Sequence, residues 1–365
     1  MKRKGRGKEI FVLAGSVLAY MAGSGFTTGQ EVIQYYVPFG VNPVLVGITV
    51  AVILALVNIG FIYTSKKAGL ERGSDIYEFL SGKYFGKFFD YFAVFFSFML
   101  FMAMIAGGAA TLEEQYGMQT IAGALIFMVL VAATVMMGLN KMVDVIGVVA
   151  PIFAVFVFVV AVVTIANDGS HIGENLNLIL NNGVELIKVS PNWFFSGISL
   201  TGLIILMFSV FTTELATKHE LKSLAIGQTT GIVSYVIVDI VLAFAFISNV
   251  GNVAGTQLPT LILAEDLVPG IGKVFGIVIS LAIYTTCCPL LYAVAKRFSN
   301  EGTKKNKIII WAVAAAACII AVFVPFNVLI NFVYKIVGYV GALIIIFMVI
   351  KLIRIHMDGK NAIEK

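Results

Sequence analysis

The chain has 365 residues, 59% of them hydrophobic and 12% charged, with a mean hydropathy of +0.98 and a formal net charge of +5. That balance excludes a soluble globular protein and leaves no polar stretch long enough to fold separately, so residues 1–365 read as one polytopic membrane domain. Cys287, Cys288 and Cys318 lie inside apolar runs without disulfide or zinc spacing, which argues against either kind of cross-link.

Apolar runs near the ~20 residues that a helix needs to cross a bilayer recur along the whole chain. Ten spans are predicted, near 9–38, 43–65, 88–112, 119–138, 143–166, 193–217, 223–248, 271–298, 308–325 and 327–353. With both termini in the cytoplasm, 22 of the 25 Lys and Arg fall on the inner side, as the positive-inside rule requires of a protein of the cell membrane. The basic run Lys2 to Lys8 then anchors orientation on an anionic leaflet and is not a nucleic-acid site. Although this run followed by apolar residues mimics a signal peptide, cleavage would delete the next motif, so a retained helix is expected.

The first span contains Ala22-Gly23-Ser24-Gly25-Phe26-Thr27-Thr28-Gly29-Gln30-Glu31. Glycines and polar side chains are costly in a lipid-facing helix, so this stretch is either a break around a protein-lined cavity or a closely packed small-residue interface. Ser74 precedes Asp75-Ile76-Tyr77-Glu78 and marks the start of a short interfacial helix before the third span. Pro151 kinks the fifth span, and Leu176, Ile179, Leu180 and Val184 repeat at helical spacing in the long outer segment after it.

The sixth span carries a second polar interruption, Met207-Phe208-Ser209-Val210-Phe211-Thr212-Thr213-Glu214, in which Phe-Thr-Thr of residues 26–28 recurs. Interrupted helices at the same place in two halves related by inversion are a pointer to a transporter's binding site. Asp239 lies within the seventh span and is either functional or a carboxyl bonded between helices. The segment 251–272 is expected to cap the outer mouth. Lys335 is the one lysine placed away from the ends of a span, and at 1.5 Å per residue it and Glu31 each lie roughly 12 Å below the outer surface, so a Glu31–Lys335 gate pair is geometrically plausible.

Gly23-Ser24-Gly25-Phe26 resembles the Gly-Ser-Gly-aliphatic break in the first helix of the amino acid-polyamine-organocation (APC) superfamily. The longer string Gly-Ser-Gly-Phe-Thr-Thr-Gly-Gln-Glu looks like the bacterial YkvI-like membrane proteins of that clan. The resemblance implies an all-α, LeuT-like fold of ten transmembrane helices arranged as a 5+5 inverted repeat, residues 9–166 and 193–353, with helices 1 and 6 broken. It implies a substrate site at Gly23, Ser24, Gly25, Phe26, Phe208, Ser209, Phe211 and Thr212, where exposed N–H groups would take a carboxylate and freed carbonyls an amine.

In the eighth span Ala282, Thr285 and Thr286 match the family's sodium motif, with Ala19 and Ala22 as the helix 1 partners. Glu214 stands where many members carry a proton-linked carboxylate, although Val210 and Thr212 depart from the surrounding Phe-x-Gly-x-Glu pattern. The expected function is therefore secondary active transport of a small amino acid or related zwitterion, coupled to sodium or, through Glu214, to protons. A small-molecule receptor or channel on the same fold is the alternative. No organic cofactor is implied, and an enzyme is not expected, since His171, His219 and His356 fall in loops or the tail and no nucleophile has an intramembrane histidine partner.

Overall fold

The computed structural model describes residues 3–21, 24–70, 72–256, 258–324 and 326–358, with the side chains of 3–5, 24, 207, 327, 331, 332, 335, 336, 355, 356 and 358 outside that description. The described residues form helices α1 (Arg3–Met21), α2 (Ser24–Thr28), α3 (Gln30–Tyr35), α4 (Pro43–Lys67), α5 (Asp75–Tyr116), α6 (Thr120–Met136), α7 (Leu139–Asp168) and α8 (Ile172–Leu180) in the first half. The second half contains α9 (Trp193–Lys218), α10 (Leu221–Ser248), α11 (Val250–Val253), α12 (Pro259–Leu267), α13 (Gly272–Phe298), α14 (Lys304–Phe323) and α15 (Phe326–Asp358).

Helices occupy each of the ten predicted segments, but not all are spans by themselves. Among the described residues seven are long and apolar enough to cross a bilayer, and α9, bent by 52°, makes an eighth if its halves count as one. The 17-residue α6 is too short for that count. This is a multi-pass membrane protein, and the exposed apolar side chains on α4, α7 and α15, such as Leu56, Ile152 and Ile346, are the surface it offers to lipid.

The pairings between helices come in twos. α1 packs on α10 as α9 packs on α4, α1 on α7 as α9 on α15, α5 on α6 as α13 on α14, and α7 on α13 as α15 on α5. Glycine sets the close approaches: a Cβ on Gly15 would overlap the Gly147 carbonyl oxygen where α1 meets α7, and one on Gly202 would overlap that of Gly338 where α9 meets α15. Small residues at crossings let backbones touch, which is how helices gain packing in lipid without a hydrophobic drive.

Two connecting segments differ from or refine the expectation. Gly82 has φ 76° and ψ 174° and breaks α5, so residues 75–81 form the separate short helix expected after Ser74. The outer helix α8 stops at Leu180, short of Val184, because Asn182 takes a left-handed φ of 52°. Most basic side chains of the loops, Lys66, Lys67, Arg72, Lys218, Lys296 and Arg297 among them, gather at one end of the bundle, called here the basic face.

Candidate functional site

The first span is interrupted at Gly29. α1 ends at Met21, and Ala22 and Gly23 lie outside the described residues. Past Ser24 and Gly25, α2 is separated from α3 by Gly29, whose φ of 89° is left-handed and suits glycine. A Cβ at Gly29 would also overlap Phe246, while Thr260 of α12 stands beside it, so α12 lies against this break. Tyr334 of α15 brings its hydroxyl against Gly25, so close that any side chain there would collide with it. Phe26 is fully buried and stacks on Tyr235 with ring centroids 5.5 Å apart.

The sixth segment is bent, not unwound. Helix α9 turns by 52° between its 193–206 and 208–218 portions, and among the described residues it stays helical throughout. Tyr77 supplies the reason: its hydroxyl donates to the Leu206 carbonyl at 3.1 Å and shares a 2.6 Å bond with Ser209 Oγ. A carbonyl loosened by a bend is thereby satisfied without opening further turns. Carbonyls freed across residues 207–211 were expected for a substrate amine, and this arrangement replaces them with one side-chain-capped carbonyl.

The expected substrate residues of α9 divide accordingly. Phe208 and Phe211 meet Tyr20 of α1, at 5.8 and 5.0 Å between centroids, and form the buried centre. Ser209 instead faces Tyr77, and Thr212 donates to Asn58 at 3.1 Å, with the Gln228 oxygen at 3.4 Å, between α4 and α10. A helix advances about 100° per residue, so a run this long cannot present every side chain to one centre.

Of the residues expected to hold sodium, Thr286 and Ala19 are in contact across two helices. Thr286 Oγ1 donates to the Ala19 carbonyl at 2.8 Å, joining α13 to the last turn of α1, and Thr285 Oγ1 donates to the Ala282 carbonyl at 2.9 Å. The Thr286 bond joins two helices, while the Thr285 bond stays within α13. Neutral hydroxyl and carbonyl oxygens are the donor set of a hard cation, so the residues present fit the ion. Ala22, the fifth member, lies outside the described residues.

Glu214 is not with that set. Its Oε1 accepts from the Gly73 N–H at 2.8 Å and its Oε2 lies 3.8 Å from Lys296, which ties the segment between α4 and α5 to the basic-face end of α9. Beside it Arg297 pairs with Asp90 at 2.7 Å, and these groups line a cavity of about 410 Å³ with Arg72, Val210 and Lys305. A second cavity of about 530 Å³ opens toward the other end, lined by Gln30, Gln34, Glu185, Thr256, Phe326 and Ile330. Tyr20, Phe208 and Phe211 line neither.

Glu31 is buried, and its carboxyl accepts from the Tyr235 hydroxyl. The side chain of Lys335, the gate partner expected from sequence, lies outside the described residues. Asp239, one turn beyond Tyr235 on α10, accepts from the Tyr36 hydroxyl at 3.0 Å. Tyr36, Tyr77, Tyr235 and Tyr334 escaped the sequence reading because isolated tyrosines in apolar runs look like packing. The i, i+4 spacing of Tyr235 and Asp239 was the available signal.

No protein-family model matches the chain. It is similar to the uncharacterized membrane protein YkvI of Bacillus subtilis strain 168, with 23% identity over 342 residues, covering 93% of this chain and 94% of that protein. Among solved structures it resembles MhsT in complex with L-phenylalanine, with a TM-score of 0.67 and 13% identity over 92% of this chain and 87% of MhsT. It also resembles Mhp1, a nucleobase-cation-symport-1 family transporter captured closed with bromovinylhydantoin bound, with a TM-score of 0.59 and 14% identity over 92% of this chain and 77% of Mhp1. At these identities the likeness establishes the fold, which is LeuT-like.

Proposed function

We propose that this fold, and the cation-type oxygen set where α1 meets α13, serve a secondary active transporter of a small amino acid or related zwitterion, coupled to sodium by alternating access. The observation that carries this reading is the Thr286 hydroxyl donating to the Ala19 carbonyl two residues before the end of α1, with Thr285 bonded to Ala282 in the adjoining turn of α13. Substrate would lie between Gly23, Ser24, Gly25 and Phe26 on one side and Phe208 and Phe211 on the other. Mhp1 is a transporter and MhsT was solved with an amino acid, and both share the fold.

The paired helix contacts support a 5+5 inverted repeat of ten spans. Exchanging the first five spans for the second five converts α1 on α7 into α9 on α15 and α1 on α10 into α9 on α4. α1, α4, α9 and α10 then move as one group against α5, α6, α13 and α14, with α7 and α15 between them. Cavities at opposite ends are the two access routes, and the basic face is cytoplasmic by the distribution of Lys and Arg. Glu214 in this reading holds the cytoplasmic side closed, and Glu31 with Lys335 belongs to the outer closure.

The test is thermal stabilisation of the purified protein by a panel of amino acids and related amines, in sodium and in choline buffer. A ligand that stabilises only in sodium, and not in the Thr285→Ala/Thr286→Ala double variant, is the expected result by linkage. Stabilisation indifferent to sodium removes the sodium assignment. Saturable binding without concentrative uptake in vesicles replaces transport by reception.

A further inference from the structure

Two carboxyl groups on α3 and α10 are buried in the membrane-embedded part of the protein, outside the oxygen set assigned to sodium. Glu31 is 6% exposed and Asp239 is 0% exposed. The Tyr235 hydroxyl donates to Glu31, and Tyr36 donates to Asp239 Oδ2 at 3.0 Å. Tyr235 and Asp239 are i, i+4 on α10 and share one of its sides, so both acids face the same small space. Asp239 Oδ1 is buried and has no hydrogen-bond partner among the described residues.

The surroundings provide phenols. Tyr35 and Tyr36 come from α3 and the residue after it, Tyr235 from α10 and Tyr334 from α15, the last edge-on to Tyr35 at 5.5 Å. The helices packed on α10 carry their charged residues near their ends: Arg6, Lys8 and Glu9 on α1, Lys66 and Lys67 on α4, Lys141, Asp144 and Asp168 on α7, Glu174 on α8, Glu214 and Lys218 on α9, while the side chain of Lys335 on α15 lies outside the described residues. Among the described residues neither carboxyl takes part in an ion pair. Two adjacent carboxylates in such a place repel one another and lack solvent, so the arrangement is stable when one of them is protonated. The unpartnered oxygen of Asp239 is the atom with room for that proton.

We infer that Glu31 and Asp239 together form a proton site, bridged by Tyr235 and Tyr36, which takes up and releases one proton at Asp239 Oδ1. An O–H bond forms there as a hydronium ion gives up its proton and becomes water, and the reverse step returns the proton to water. Gln30 and Gln34 line the 530 Å³ cavity, so the helix that carries Glu31 forms part of the vestibule wall. Resting on the transport reading above, this assignment gives the carrier a proton step at the non-basic end, distinct from Glu214, so that solute movement depends on the pH gradient as well as on sodium.

Infrared titration of the full-length protein in phosphatidylcholine vesicles, in H₂O and D₂O, tests the site without any solute. Expected at neutral pH is a carboxylic-acid C=O band that disappears in Asp239→Asn and whose titration midpoint moves by roughly one pH unit or more in Glu31→Gln. Tyr36→Phe, which removes only one hydroxyl, should move the midpoint upward, because the lost bond favoured the ionised form. A neutral-pH spectrum with no acid band sensitive to Asp239→Asn overturns the proposal, as does a band abolished by sodium, which would make the pair a metal-cation site. The same vesicles loaded with a pH dye and given the twenty L-amino acids with sodium separate the two readings. An acid band without amino acid uptake sinks transport and leaves the proton site standing, whereas uptake with unchanged proton movement in Asp239→Asn sinks the proton site and leaves transport.

Discussion

The Gly73 N–H donates to Glu214 Oε1 at 2.8 Å, and a Cβ on Gly73 would press into Val210 and Glu214 itself. The segment before α5 is thus seated on α9 by one charge-assisted bond and one missing side chain. Such a bond is worth about 1.5–3 kcal/mol. Glu214→Leu should speed hydrogen exchange at Gly73 by about tenfold or more, with Glu214→Gln intermediate because the amide oxygen can still accept. Mass-spectrometric exchange of the 68–81 peptide reads this, and unchanged protection would remove the latch.

Thr285 and Thr286 are adjacent but not equivalent. Thr286 bonds across to α1, whereas Thr285 bonds the preceding turn of its own helix. Without sodium, Thr286→Ala should therefore cost about 1 kcal/mol in thermal unfolding and Thr285→Ala less, while in sodium both should lose the ligand-linked stabilisation. Equal costs in choline buffer would contradict the interhelical role of Thr286.

Gly202→Val should destabilise by about 1–3 kcal/mol or prevent accumulation of folded protein, because its side chain must displace the α15 backbone at Gly338. Gly173→Val is the control, since nothing lies within 4 Å of a Cβ there. Comparison of melting temperatures decides it, and equal melting would mean that α9 and α15 are not in close contact.

Glu301 lies between α13 and α14 and accepts from Lys218, from the Tyr292 hydroxyl and from the Leu139 N–H. Partial burial pushes its carboxyl up, but the Lys218 charge and those hydrogen bonds outweigh it and hold it below the ordinary carboxylate range. A carboxylate lowered on folding contributes stability that is present above its unfolded value, about 4.3, and is lost as pH falls through the folded value. Wild type should accordingly lose stability on acidification below about pH 4–5 more steeply than Glu301→Gln, as thermal unfolding across that range would reveal. Parallel curves would show that this carboxylate does not couple to folding.

Sequence made the helical architecture legible because lipid demands long apolar runs, and within the glycine- and hydroxyl-rich stretch it singled out, the helix breaks at Gly29. Thr286 does lie against Ala19, whereas Thr285 bonds within its own helix. Long-range side-chain partners were out of its reach. Tyr77 is 132 residues from Ser209 and Tyr235 is 204 from Glu31, and nothing in either neighbourhood announces those bonds. The expectation for Ser209 and Thr212 failed to allow for helical rotation, which turns them toward Tyr77 and Asn58.

Tyr20, Phe208 and Phe211 pack in the buried interior with stacked and tilted rings and no ionisable group except one phenol. Such a zone is an electrical insulator. A bare ion lodged against those rings would cost many times thermal energy unless a neighbouring charge compensated it.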